Sequence, residues 1–145
     1  MNKTDKTENL SPASIYRLLT SHADKILVSR KERENLDIVI DMHWFFLHSR
    51  YHKEQFNYKK HIGKWKYDAV SFEDLLARVL VLMPSVAAGD LPVVKFTNIP
   101  NVTSGEKLIV VYCFPFGPGP EQARDILIEK IGPEIYWGSY RHRSP

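Results

Sequence analysis

At 145 residues, 43% hydrophobic and 26% charged, the chain has the size and composition of one globular domain, which excludes a wholly disordered or fibrous protein. No run approaches the roughly 18 uninterrupted apolar residues of a membrane helix, and the opening MNKTDKTENL lacks the apolar centre of a signal peptide. With Cys113 as the single cysteine, an internal disulfide is excluded, so a soluble protein of a reducing, cytoplasmic compartment with no membrane partner is expected. A net charge of +3 is too small to argue for nucleic acid by itself.

Residues 1–10 are polar and aperiodic and read as a tail, with residues 11–145 as one domain. In SPASIYRLL, Ser11 suits a cap and Pro12 the first helical position, and Ile15, Leu18 and Leu19 form a stripe, which predicts a helix to about His22. SRKEREN has capping-box spacing from Ser29 to Glu32 but little apolar face, so one or two exposed helical turns are expected. From Leu36 to Leu47 the period is two, which predicts one long strand. HSRYHKEQFN is turn material, and a second strand is expected from about Tyr58 to Asp68.

SFEDLLARVLVLM has Ser71 as cap and a broad stripe through Leu75, Leu76, Val79, Leu80 and Met83, the strongest helix signal in the chain, stopped by Pro84 or Gly89. PVVKFTN and KLIVVYCF read as strands joined by a hairpin connection, the second apolar enough to be central. PFGPGP is a stiff bend, a helix runs from Pro120 to Lys130, and EIYWGSYRHRSP closes the chain as an edge strand. The order implies an α+β fold: a curved, mostly antiparallel sheet with helices packed on one face and the other face open for binding.

Charge is concentrated between His43 and Tyr67, which holds six lysines or arginines and four of the six histidines against one acid, Glu54. Within it, KKHIGKWKYD alternates as a strand: Lys64, Lys66 and Asp68 on one face, Gly63, Trp65 and Tyr67 on the other. With the aromatic face open, Trp65 is a stacking platform, and Lys59, Lys60 and His61 can reach a phosphate. The competing reading buries Trp65 and leaves the lysines solvated. YWGSYRHR is a second candidate, its Trp137 and Tyr140 offering rings, Arg141 and Arg143 offering guanidinium forks, and Gly138 allowing a close backbone approach. Its competing reading is a basic tail.

The histidines give a weaker case. His48 and His52 are four apart but sit in turn material without the zinc-protease glutamate, so no metal is expected. His43, His48 and His61 are the candidate acid–base residues, and no spacing favours a particular pair. PFGPGP matches no phosphate-cradling motif, and its prolines remove the backbone donors such a loop needs. Cys113, in the most apolar strand, reads as a buried thiol.

GKW entering a strand, GDLPVVKFTN, LIVVYCF, a helix ending EKIG and a closing IYWGSYR together resemble the basophilic-leukaemia-expressed protein family, across roughly Trp44 to Arg143. That resemblance implies a fold similar to the mRNA-cap-binding translation initiation factors, which stack a methylated guanine between two tryptophans, hold its edge with a glutamate and hold phosphates with lysines and arginines. This sequence departs from that pattern. Trp44, Trp65 and Trp137 all fall in strands, and the acids nearest them are Asp41, Asp68 and Glu134. The resemblance therefore implies a site on the same concave face without implying cap binding.

The leading expectation is a non-catalytic binding domain for a nucleotide, short RNA or other phosphorylated ligand, needing no cofactor. Trp65 and Trp137 would stack, with Tyr140 beside them, and Lys59, Lys60, Lys64, Lys66, Arg141 and Arg143 would hold phosphate. The alternatives are a phosphate-directed lyase or nuclease using histidine and lysine, and a protein-interaction module acting through an edge strand or apolar patch.

Overall fold

A computed structural model describes residues 10–52, 63–102, 104–114 and 117–138. Lys59, Lys60, His61, Tyr140, Arg141 and Arg143, the N-terminal tail to residue 9 and part of the PFGPGP bend lie outside the described residues.

Helix α1 (Pro12–Ile26) starts as the sequence predicts, with the Ser11 hydroxyl accepting from the Ser14 N–H. It runs four residues past the expected end at His22, because Ala23 prolongs the stripe of Ile15 and Leu19 and buries with them. A short helix α2 (Arg30–Glu34) follows, capped by Ser29 and with no buried residue.

The period-two run from Leu36 is two strands, β1 (Leu36–Ile40) and β2 (Trp44–Ser49), paired antiparallel with Ile40 opposite Phe45. The reversal comes from Asp41. Its Oδ1 accepts from the N–H groups of both His43 and Trp44, at 2.9 and 2.7 Å, and its own N–H donates to the Trp44 carbonyl. An aspartate that satisfies two turn donors makes a tight reversal without any residue at positive φ. Asn98, fully buried, braces this turn by donating from Nδ2 to the Asp41 carbonyl and from its backbone to the His43 carbonyl.

The remaining elements are β3 (Lys64–Asp68), α3 (Phe72–Ala87), β4 (Val93–Thr97), β5 (Leu108–Tyr112), α4 (Gly119–Ile131) and β6 (Tyr136–Gly138). Pro84 lies inside α3, which continues one more turn to Ala87 before Gly89, at φ 87°, ends it. A helix closes around a late proline when only one backbone bond is lost and its apolar face still packs. Here Val86 and Ala87 beyond it are buried.

The six strands form one open antiparallel sheet in the order β1-β2-β4-β5-β3-β6. This is the α+β architecture the sequence implies: α1 lies against β1, α3 against β2, β4 and β5, and α4 against β3, all on one face. The main core forms between them, from Phe45 and Leu47 in β2, Phe96 in β4 and Ile109 in β5 against Leu75, Val79 and Met83 of α3. Among the described residues no helix is long and apolar enough to cross a membrane.

One buried polar contact ties three elements. Asn35, between α2 and β1, donates from Nδ2 to Ser49 Oγ at the end of β2 (3.1 Å) and to the Ala87 carbonyl at the end of α3 (2.7 Å). It thereby satisfies one of the carbonyls a helix C-terminus leaves unpaired. Asn35→Ala strands both partners in the interior, so urea unfolding is expected to show a loss of about 1–3 kcal/mol, and a loss near zero would show that the contact is dispensable.

Candidate functional site

Alternation along each strand assigns every side chain to the helix face or to the opposite face. Two register rows on the opposite face carry most of its charged and aromatic side chains. One runs Phe46, Lys95, Val110, Lys66, Tyr136 across β2, β4, β5, β3 and β6. The next runs His48, Val93, Tyr112, Lys64, with Asp37 of β1 beside His48. Trp44 stands one step further along β2.

This face has its own small apolar cluster, of Val93, Leu108, Val110 and Tyr112 with Trp44, Phe46 and Phe114 packed against it. Val93 and Val110 are only 0% and 2% exposed, so the face is not the bare sheet surface the sequence implies. Lysines and rings interleave over this floor. Lys95 Nζ lies 4.1 Å from the centroid of Trp44 and 5.4 Å from that of Tyr112, and Lys64 Nζ lies 5.9 Å from Tyr112 on its other side. Such contacts orient an ammonium by the negative face of a ring. Burial pushes the Tyr112 phenol up to about 12, so it is neutral at physiological pH.

The acids on this side are engaged. Asp37 is ion-paired with Arg50 at 3.0 Å, and Asp68 accepts from the Tyr136 hydroxyl at 2.9 Å. Burial, and then that bond, push the Tyr136 phenol to about 12. Lys66 lies across Gly138, where a Cβ would stand 2.6 Å from Lys66 Cε. The close approach expected at Gly138 is thus made by a lysine of the neighbouring strand.

Trp65 is not on this face. The alternation Lys64, Trp65, Lys66, Tyr67 is as the sequence shows, but the aromatic side is the one under the helices. Trp65 packs against the main core and donates from Nε1 to the Pro120 carbonyl at 3.0 Å, fastening the start of α4 to β3. Directly opposite it in β6, Trp137 meets it edge-on, with ring centroids 5.1 Å apart. Trp137 is 39% exposed, on the helix side of the sheet edge, so neither tryptophan shares a face with Lys64 and Lys66.

The two candidate segments do meet as backbone: β3 and β6 are neighbours, with Lys64 opposite Gly138, so the chain enters β3 and leaves β6 at the same end of the sheet. Among the described residues the candidate histidines do not gather. His43 is exposed in the β1–β2 turn and His48 is five residues along β2, about 16 Å away by strand rise. His52, in the turn after β2, donates from Nε2 to the Gly89 carbonyl at 2.7 Å. Among the described residues no group of three or more His, Cys, Asp or Glu side chains is placed to hold a metal. Cys113 is buried, which lifts its thiol to about 11, an inert position for a nucleophile.

A cavity of about 490 Å³ opens on the helix side between α4 and the segment 89–92, bordered by His52, Asp90, Gln122 and Asp125. Among the described residues that line it there is no lysine or arginine. Sequence reasoning missed Lys95, Trp44 and Tyr112 as a set. The available signal was Lys95 itself, the one charge in the strand VVKFT.

What presents Lys64 and Lys66 is a node behind their strand. Tyr67 donates to Asp74 Oδ2 at 2.9 Å, Arg78 Nε donates to Asp74 Oδ1 at 3.0 Å, and Arg78 reaches the Ile131 carbonyl at the end of α4 at 2.8 Å. Partial burial works to raise the Asp74 carboxyl, but donors from Arg78, the Val70 N–H and Tyr67 outweigh it and hold it below its ordinary 3.8. A carboxyl lowered by folding contributes stability that is complete above its ordinary value and lost as pH falls through the folded one. Asp74→Asn is therefore expected to cost about 1–3 kcal/mol at pH 7, with the gap to wild type narrowing as thermal unfolding is repeated down to acid pH. A gap that stays constant with pH would show that the charge of Asp74 is not what binds the node.

Fold and site together define an α+β protein with an open six-stranded antiparallel sheet, helices on one face, and lysines interleaved with aromatic rings on the other. Comparison with family models, curated proteins and solved structures gives no match to this chain.

Proposed function

We propose that the protein is a non-catalytic binding domain for a nucleotide-like or otherwise phosphorylated ligand, held on the sheet face away from the helices. The observation that carries this reading is the convergence of Lys64, Lys66 and Lys95 on that face with Trp44 and Tyr112 between and beside them. Rings supply a stacking surface worth about 1–3 kcal/mol per base, and ammonium groups supply the sequence-independent attraction to phosphate. Relative to the sequence expectation, Trp44 and Tyr112 replace Trp65 as the platform. Lys59, Lys60, Tyr140, Arg141 and Arg143 belong to segments joined to the end of the sheet where Lys64 sits, which suits them to the same phosphate.

The reading accords with the motif resemblance to the basophilic-leukaemia-expressed family, which implies a ligand site on a sheet face. A reducing, cytoplasmic setting accords with the buried Cys113 thiol. The acid–base alternative draws no support from His43 and His48, which stand about 16 Å apart along the chain, and its third candidate, His61, lies outside the described residues.

Intrinsic tryptophan fluorescence, titrated at low salt with AMP, ADP, ATP, cyclic nucleotides and a short RNA, is expected to respond to at least one of them. Trp44→Phe should remove most of the response. Lys66→Ala and Lys95→Ala should each weaken binding and lower the dependence of log K on log salt by about one. No response from any of these ligands, or affinities untouched by both lysine variants, overturns the reading.

A further inference from the structure

The sheet has two edges of different character. At one, β6 is three residues long; at the other, β1 runs Leu-Asp-Ile-Val-Ile without a lysine, a proline or a glycine. Natural sheets blunt their edges with such residues or with short strands, because a bare edge is a template for another strand. Over its described residues β6 offers only a short edge. β1 is longer and carries none of these devices, and three of the exposed large apolar residues sit on it or at its end: Val39 at 45%, Ile40 at 37% and Met42 at 69%.

Which backbone groups point outward follows from the hydrogen bonds at the two ends of the β1–β2 ladder. Arg50 N–H donates to the Asn35 carbonyl at 2.8 Å, and Asp41 N–H donates to the Trp44 carbonyl at 2.8 Å. Residues 35 and 41 thus belong to hydrogen-bonded pairs with β2, and by alternation so do 37 and 39. The N–H and C=O groups of Leu36, Ile38 and Ile40 then point to the open edge. A cleft of about 310 Å³, bordered by Tyr16, Thr20, Arg33, Ile38 and Arg50, runs beside the strand.

We infer that β1 is a self-association edge, and that its occupant is β1 of a second copy of this chain, paired antiparallel about a two-fold axis through Ile38. That axis sets Ile38 opposite its own counterpart and Leu36 opposite Ile40 of the other copy. Every outward group on one strand then meets a partner on the other, giving about six backbone hydrogen bonds. The helix-side row becomes Leu36–Ile40, Ile38–Ile38, Ile40–Leu36, apolar throughout. The one charge of the strand, Asp37, falls opposite Val39 of the other copy and keeps its ion pair with Arg50, so no like charges face each other. The lysine face lies on the same side in both copies of such a continuous sheet, which would set two ligand faces side by side. The inference does not depend on what those faces bind.

Sedimentation velocity of the full chain between about 1 and 500 µM tests it, a range chosen because a single strand pair is a small interface and its dimer is weak. The weight-average mass is expected to rise with concentration toward twice the monomer value. Val39→Glu sets a second carboxylate opposite Asp37 of the other copy, a like-charge pair made twice by the symmetry. Ile40→Pro removes an N–H that the internal ladder does not use, a position where proline is tolerated. Each should keep the chain monomeric across the range, with far-UV circular dichroism and Tm at low concentration unchanged. If Ile40→Pro does not fold, Val39→Glu alone decides. A wild-type chain monomeric at every concentration, including one whose edge takes only a foreign peptide, overturns the inference, as does self-association that survives both variants.

Discussion

The face to which Trp65 turns decides the rest. Its indole N–H is bound to the Pro120 carbonyl, and two residues on, Tyr67 is bound to Asp74. Both anchors lie under the helices, one on α4 and one on α3. A strand cannot rotate one side chain without carrying its neighbours, so these two bonds oblige Lys64 and Lys66 to the other side. Through the register that row is continuous with Lys95 and the rings on β2 and β5. The chemistry of the candidate site is thus a consequence of packing on the opposite face.

Much of this architecture is legible in the residues. Ser11, Ser29 and Ser71 cap where their spacing indicates, and the stripe of Leu75, Leu76 and Val79 is the side α3 buries. The run from Leu36 to Leu47 misleads because alternation continues on both sides of the turn. In one strand Ile40 and Trp44 would share a face; the hairpin inverts the phase, so Ile40 goes with Phe45 and Trp44 goes opposite. Only the capacity of Asp41 to hold two N–H groups distinguishes the cases, and a lone aspartate within an alternating run does not announce it. The face of Trp65 is a different failure. KWKYD shows correctly that rings and lysines part company, but both sides of that strand are amphipathic, and which one the helices choose is set by Pro120 and Asp74, far away in sequence. Lys95 escapes notice because a single lysine in VVKFT carries no pattern until the register places it beside Trp44 and Tyr112.

The second apolar cluster explains why lysines suit this face. A sheet with helices on one side must still cover the apolar residues its inner strands present on the other. Val93 and Val110 sit in the rows of Lys64, Lys66 and Lys95. The methylene stem of a lysine lies well against such groups while its ammonium reaches water or a ring. Asp or Glu there would be too short to do both. The basic character of the face is therefore compatible with a structural demand, and what makes it a candidate site is the rings that orient the ammonium groups.

Lys95 shows how the two components of binding would be linked. Its ammonium lies over the Trp44 ring at 4.1 Å, the position a stacked base would need. A phosphate drawn to Lys95 competes with that contact, which at a partly exposed site is worth about 0.5–1 kcal/mol. A charge-assisted bond to phosphate, at about 1.5–3 kcal/mol, outweighs it. When the lysine turns away, the Trp44 face is left for the base. A ligand with both a phosphate and a ring would gain from each step, whereas a bare ring would stack only at the cost of displacing the cation and a bare phosphate would leave the indole uncovered. On the proposed reading, a ligand that carries both groups would be preferred over either alone, through one side chain on the central strand β4.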